Sequence, residues 1–118
     1  MKLAEVRKLT GASPLSPPAN DDNCEVHSAF ASDLMSDALR MIGDQSEETM
    51  LVTGLCNPQI LKTAEMLDVH VILLVRGKQP QADLEALLKT TDIAVLGTDL
   101  TMYEACGRLY EGGLKGLQ

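Results

Sequence analysis

The chain has 118 residues, which is typical of one domain with a core, so we expect a single domain over residues 1–118. Its net charge is −7 and only 3% of its residues are aromatic, which argues against binding to nucleic acid. No apolar stretch approaches the roughly 20 residues of a membrane helix. The mixed charges of residues 1–6 argue against a signal peptide, so we expect a cytoplasmic protein with no membrane partner.

The first part of the chain alternates helix and extended patterns. Residues 2–9 predict a helix that ends near Gly11, because apolar side chains recur there at helical spacing: Leu3, Val6 and Leu9. Residues 13–23 are rich in serine, proline, asparagine and aspartate, which favour turns. A brief strand that pairs with a later strand is predicted around Leu15. Residues 24–31 alternate loosely and predict a second strand.

A second helix is predicted to begin at Ser32. Ser32 is a favourable N-cap, Asp33 suits the first turn, and Gly43 ends the pattern. The predicted apolar stripe of this helix consists of Leu34, Met35, Ala38, Leu39 and Ile42.

The remaining chain repeats one pattern, an apolar run that ends in a glycine turn and leads into a helix. The three runs are residues 50–52, 71–75 and 93–96, and their turn glycines are Gly54, Gly77 and Gly97. The run 71–75 lacks polar alternation, which is typical of a strand covered by helices on both faces. We therefore predict an α/β fold, a three-layer sandwich with a mostly parallel sheet flanked by helices.

Start and stop signals place the last three helices. Asn57 caps a helix that starts at Pro58, Pro80 starts the next, and residues 101–104 form a capping box. The buried positions predicted for the first two of these helices are Ile60, Leu61, Ala64 and Leu67, then Leu84, Leu87 and Leu88. The glycine-rich tail from Gly112 is predicted to fray.

Parallel sheets collect ligands at the carboxyl ends of their strands, where the predicted turns meet. Arg76 suits an anion, and Asp99 is not needed as a cap because Thr101 already fills that position. A solvated Arg76 and a purely helix-capping Asp33 are the alternatives. The candidate ligand-binding residues are Ser32, Asp33, Thr53, Gly54, Asn57, Arg76, Gly77, Gly97, Thr98 and Asp99.

No complete catalytic motif is present. The chain has neither a P-loop nor a dinucleotide fingerprint, and its cysteines lack the spacing of a metal knuckle. Cys56 lies just before a predicted helix, where a reactive thiolate is one interpretation and a small apolar residue the other. We therefore expect no enzymatic activity, no metal and no cofactor.

Three segments resemble the DRTGG-domain family. Residues 29–39 are similar to its G-Y-x-S-D-L-L-S-D-V segment, and residues 96–109 to its closing G-T-D-x-S-x-x-E-x-x-G-x-L. Residues 75–80 are similar to its N-G-x-x-P turn. The D-R-x-x-G-G stretch that names the family is degraded, because residues 22–29 lack its arginine and both glycines.

The resemblance implies a compact α/β domain related to the N-terminal domain of HPr kinase/phosphorylase. It implies a regulatory role without catalysis and a homodimer. We expect a regulatory domain that binds a small anionic metabolite or nucleotide at the carboxyl ends of the strands. The alternative is a protein-interaction or dimerisation module that scaffolds either a hydrogenase-associated redox protein or a kinase.

Overall fold

A computed structural model describes residues 1–43, 48–77 and 79–117. Five helices and six strands occur in these ranges. In chain order they are α1 (Leu3–Thr10), β1 (Ser13–Pro14), β2 (Ser28–Ala31), α2 (Met35–Ile42), β3 (Thr49–Thr53), α3 (Gln59–Leu67), β4 (Val71–Leu74), α4 (Ala82–Leu88), β5 (Ala94–Gly97), α5 (Met102–Glu111) and β6 (Lys115–Gly116). A short 3₁₀ helix covers Pro17–Asn20.

The strands form one sheet in the order β1-β5-β4-β3-β2-β6. All neighbours are parallel except β1, which runs antiparallel to β5 with Ser13 opposite Gly97. The mostly parallel α/β fold is therefore confirmed, and so is the brief strand near Leu15 that pairs with a later one.

Each central strand contributes to two cores because its side chains alternate between the faces of the sheet. In β4, Val71 and Leu73 join the core beneath α1 and α5, whereas Ile72 and Leu74 join the core beneath α2, α3 and α4. Both faces are covered, which explains why the run 71–75 is apolar without interruption.

Two predicted helix ends are confirmed. α1 stops at Gly11, which has a left-handed φ of 69° and donates its N–H to the Arg7 carbonyl at 2.7 Å. Thr101 caps α5, since its hydroxyl oxygen accepts the Glu104 N–H at 3.3 Å. α3 begins at Gln59, one residue later than predicted, with Pro58 rather than Asn57 as its N-cap. The Asn57 side chain accepts the Gln59 N–H at 3.1 Å.

Three further helix predictions are wrong. α2 begins at Met35, so Ser32 is not its N-cap and Asp33 lies before its first turn. α4 begins at Ala82, two residues after Pro80. The flanking side chains predicted as buried are exposed: Leu34, Leu39 and Leu87. The buried faces of α2 and α4 are therefore narrower than their predicted apolar stripes.

Two more segments differ from the prediction, residues 24–31 and the C-terminal tail. The second strand is shorter than residues 24–31 and covers only Ser28–Ala31. The tail does not fray, because Leu114 is buried and Lys115–Gly116 pairs with β2 as an edge strand. The glycines of this segment favour disorder, but the burial of Leu114 and the pairing with β2 hold it in place.

Candidate functional site

The turns that follow β2, β3, β4 and β5 lie side by side at one edge of the sheet. This follows from the order β5-β4-β3-β2 and the parallel direction of these strands. The predicted convergence of the strand-end turns is therefore present, and the β2 turn joins it as well. The turns hold the candidate residues in two groups.

The first group is centred on the carboxylate of Asp33, in the turn after β2. The N–H of Gly54 donates to Asp33 Oδ1 at 2.7 Å, and the Thr53 hydroxyl donates to the same oxygen at 3.3 Å. Arg76 Nη2 donates to the other oxygen, Oδ2, at 2.9 Å. We call these four residues the Asp33 cluster: Asp33, Thr53, Gly54 and Arg76. It ties together the ends of β2, β3 and β4.

The environment of Asp33 favours its charged form. Burial raises the pKa of Asp33, but the Gly54 N–H and the Arg76 guanidinium outweigh that effect and hold the pKa below its usual value. The side chains of Arg76 and Asp33 are 33% and 42% exposed, so both groups remain accessible to a ligand from solvent.

Gly54 makes room for the arginine. A Cβ on Gly54 would lie 1.8 Å from Arg76 Nη2 and 2.2 Å from its Cζ. The guanidinium of Arg76 thus packs directly on the backbone at the end of β3. Any side chain at position 54 would force the guanidinium away from Asp33.

The backbone at the end of β4 turns through two left-handed residues, Arg76 with φ 68° and Gly77 with φ 61°. The Arg76 N–H donates to the Leu100 carbonyl at 2.7 Å, and the Gly77 N–H donates to the Thr98 carbonyl at 2.9 Å. A left-handed conformation is unfavourable for arginine, and these bonds to the next turn hold it in place.

The second group surrounds a cavity of about 210 Å³ beside the end of β5. Pockets that enclose a whole drug-sized ligand measure about 300 to 1,000 Å³, so this one suits part of a ligand. Its lining consists of Gly11, Ser13, Leu15, Gly77, Gln79, Pro80, Gly97, Thr98 and Asp99. Asp99 is exposed, and its Oδ1 would lie 2.8 Å from a Cβ on Gly77, so this glycine keeps the carboxylate accessible.

Three predicted residues support the turns of the site through hydrogen bonds of their side chains. Ser32 Oγ accepts the Leu34 N–H at 3.0 Å, and Asn57 accepts the Gln59 N–H. The buried Thr98 hydroxyl donates to the Thr10 carbonyl at 2.6 Å, which anchors the end of α1 to the end of β5. Their side-chain oxygens thus stabilise the turns that present the other candidates.

Five residues of the cavity were not among the candidates: Gly11, Ser13, Leu15, Gln79 and Pro80. The antiparallel pairing of β1 with β5 brings Ser13 and Leu15 beside the strand ends. The sequence feature that pointed to Ser13 and Leu15 was the brief strand predicted near Leu15. The strand with which β1 pairs decides where in the sheet these two residues lie.

The half-buried Cys56 lies in the loop between β3 and α3. Its thiol donates to the Gly54 carbonyl at 3.6 Å.

Within the described residues, no group of three or more histidine, cysteine, aspartate or glutamate side chains is arranged to hold a metal. No helix in the same ranges is long and apolar enough to cross a membrane.

No protein-family model matches this chain, and no curated protein matches it. Its fold is similar to a crystal structure of the CBS and DRTGG domains of the regulatory region of Clostridium perfringens pyrophosphatase, complexed with an activator, diadenosine tetraphosphate. The TM-score is 0.69 at 14% identity, over 92% of this chain and 45% of that one. The chain thus spans less than half the length of that structure, and the resemblance to a DRTGG domain agrees at the level of fold.

Proposed function

We propose that residues 1–118 form a DRTGG-like regulatory domain that acts in the cytoplasm without catalysis. It binds a small anionic metabolite or nucleotide at the carboxyl ends of its parallel strands. The convergence of four strand-end turns on one edge is the observation that carries this proposal. The structurally similar regulatory region, which was crystallised with a nucleotide activator, supports it.

The two groups of the site suit the two ends of such a ligand. Arg76 offers a guanidinium to a phosphate, and the Asp99 carboxylate accepts hydrogen bonds from hydroxyl groups such as those of a ribose. The guanidinium lies at the end of β3 and the cavity beside β5, with β4 between them. At the usual strand spacing the two groups are about 10 Å apart, so an elongated ligand would contact both.

Thermal unfolding in the presence of candidate ligands tests this proposal. The probes are inorganic phosphate, pyrophosphate, ribose 5-phosphate, AMP and ATP, each titrated at low ionic strength. A probe at 100 times its Kd adds roughly 2.7 kcal/mol, which raises Tm by about 10 °C in a domain of this size. A well-folded protein whose Tm is unchanged by every probe would contradict the proposal.

Asp99→Ala is expected to weaken binding of the ribose-containing probes while lowering the free energy of unfolding by less than about 1 kcal/mol, the value of a lost cap. The stability effect is small because Asp99 is exposed and Thr101 caps α5 instead. Asp92→Ala is the matched control, since it removes an exposed acid just before the amino end of the same strand. Loss of several kcal/mol in a urea melt of Asp99→Ala would make Asp99 a structural residue.

A second candidate function is a protein-interaction or dimerisation module. Exposed apolar side chains on or beside α2 favour it: Leu34, Leu39 and Met41. The partner would be a second copy of the chain, or the hydrogenase-associated or kinase protein that the family resemblance implies. Sedimentation equilibrium distinguishes the two functions, because a strict monomer that binds a metabolite excludes the dimer.

A further inference from the structure

The positive charge that the described residues at the strand ends offer to an anion is already neutralised. Among the described residues of the turns after β2 to β5, Arg76 is the one cation, and its Nη2 lies 2.9 Å from Asp33 Oδ2. The backbone of Gly54 covers one face of the guanidinium. An anion that approaches Arg76 therefore meets the Asp33 carboxylate at the same place.

We infer that Asp33 is an intramolecular competitor for Arg76, which weakens the binding of every anion and selects for phosphorylated ligands over carboxylates. This inference rests on the proposed function, because it concerns how the same site chooses its ligand. Asp33 thus lowers the affinity for the ligand, whereas a residue that contacts the ligand favourably raises it.

The hydrogen bonds of Asp33 explain why it stays in competition when a ligand arrives. Its Oδ1 accepts the Gly54 N–H and the Thr53 hydroxyl, and neither bond depends on Arg76. The carboxylate therefore remains at the site after the guanidinium turns to a ligand. Its charge then lies close to the charge of that ligand, and the like-charge repulsion lowers the affinity.

The selectivity follows from comparing the ligand with Asp33 itself. A carboxylate ligand offers Arg76 the same charge and geometry that Asp33 already provides, so it gains nothing by exchange. A phosphate group carries up to two negative charges and three acceptor oxygens, and forms stronger charge-assisted bonds with a guanidinium. Phosphorylated ligands are therefore the class that binds despite Asp33.

The test is isothermal titration of pyrophosphate, ATP and acetate into the wild-type chain and three variants at low ionic strength. Asp33→Asn keeps an oxygen that accepts the Gly54 N–H but removes the charge. It is expected to bind pyrophosphate and ATP about three to ten times more tightly, and to acquire measurable acetate binding. Arg76→Gln is expected to bind both phosphates at least about ten times more weakly.

Asp37→Asn is the matched control, because it removes the same charge from α2, where Asp37 pairs with Arg40 instead. Its affinities are expected to stay within about twofold of wild type. If Asp33→Asn does not fold, Asp33→Ser removes the same charge with a smaller side chain, and the same increase in affinity is expected of it.

The possible failures are distinguishable. If the wild type binds the phosphates and neither neutral variant at position 33 binds them more tightly, or Asp37→Asn gains as much, the inference is wrong and the proposed function stands. If no variant binds any probe, the proposed function fails, and the inference fails with it. Binding by Asp33→Asn alone would contradict both the proposed function and the selectivity, because phosphorylated ligands would then fail to bind the wild type despite Asp33.

Discussion

At the scale of single residues, position 76 combines a candidate ligand-binding side chain with an unfavourable backbone. Arginine has no intrinsic preference for a φ of 68°, and the turn keeps it there through the Arg76 N–H bond to Leu100 and the ion pair with Asp33. A glycine would adopt this backbone without strain. An arginine at a position whose backbone conformation favours glycine supports a role for the guanidinium.

Two substitutions separate the backbone from the side chain. Arg76→Gly and Arg76→Ala remove the same ion pair, but only alanine keeps the left-handed strain. We expect Arg76→Gly to be more stable than Arg76→Ala by about 1 kcal/mol in urea unfolding. Equal stabilities, or a more stable alanine variant, would show that residue 76 does not adopt the left-handed conformation.

The sequence suggested most of these residues but not how they pair. Asp33 and Arg76 were both candidates, yet they are 43 positions apart and meet only because β2, β3 and β4 are neighbours in the sheet. Strand order in this half of the chain could not be inferred from local patterns. The alternative interpretation of Asp33, as a purely helix-capping acid, was wrong because α2 begins later than the cap pattern indicates.

At the scale of elements, local signals predicted two helix ends correctly but misplaced the starts of α2 and α4. The Gly11 stop and the Thr101 cap depend on neighbouring residues and were confirmed. The face of α4 and the order of the tail depend on what each segment packs against. Leu87 was predicted as buried and is 43% exposed, whereas Leu114 was predicted to fray and is 3% exposed.

These two leucines give a matched stability test. Leu114→Ala empties a site in the core beneath α1 and α5 and should lower the free energy of unfolding by about 2 to 4 kcal/mol. Leu87→Ala removes a largely solvated side chain and should cost less than about 1 kcal/mol. Urea denaturation of both variants measures the difference. The reverse order would mean that the tail is not part of the folded domain.

At the scale of the whole molecule, the parallel sheet is what creates the site. The uninterrupted apolar run 71–75 was enough to predict a strand covered on both faces, and the fold class followed from it. The sequence predicted a brief strand near Leu15 that pairs with a later strand, but not that its partner is β5 or that the pairing lines the cavity beside Asp99. It is a two-residue antiparallel pairing that no periodicity indicates.

We expect a phosphorylated small molecule to bind at the carboxyl ends of the strands. An amide-proton NMR titration of the ¹⁵N-labelled chain with pyrophosphate and with ATP tests it most directly. The largest shifts are expected at Gly54, Arg76, Gly77 and Asp99. Little change is expected at His70 and Asp92, which lie at the opposite edge of the sheet. Saturable shifts centred on His70 and Asp92, or spread over α2 instead, would contradict it.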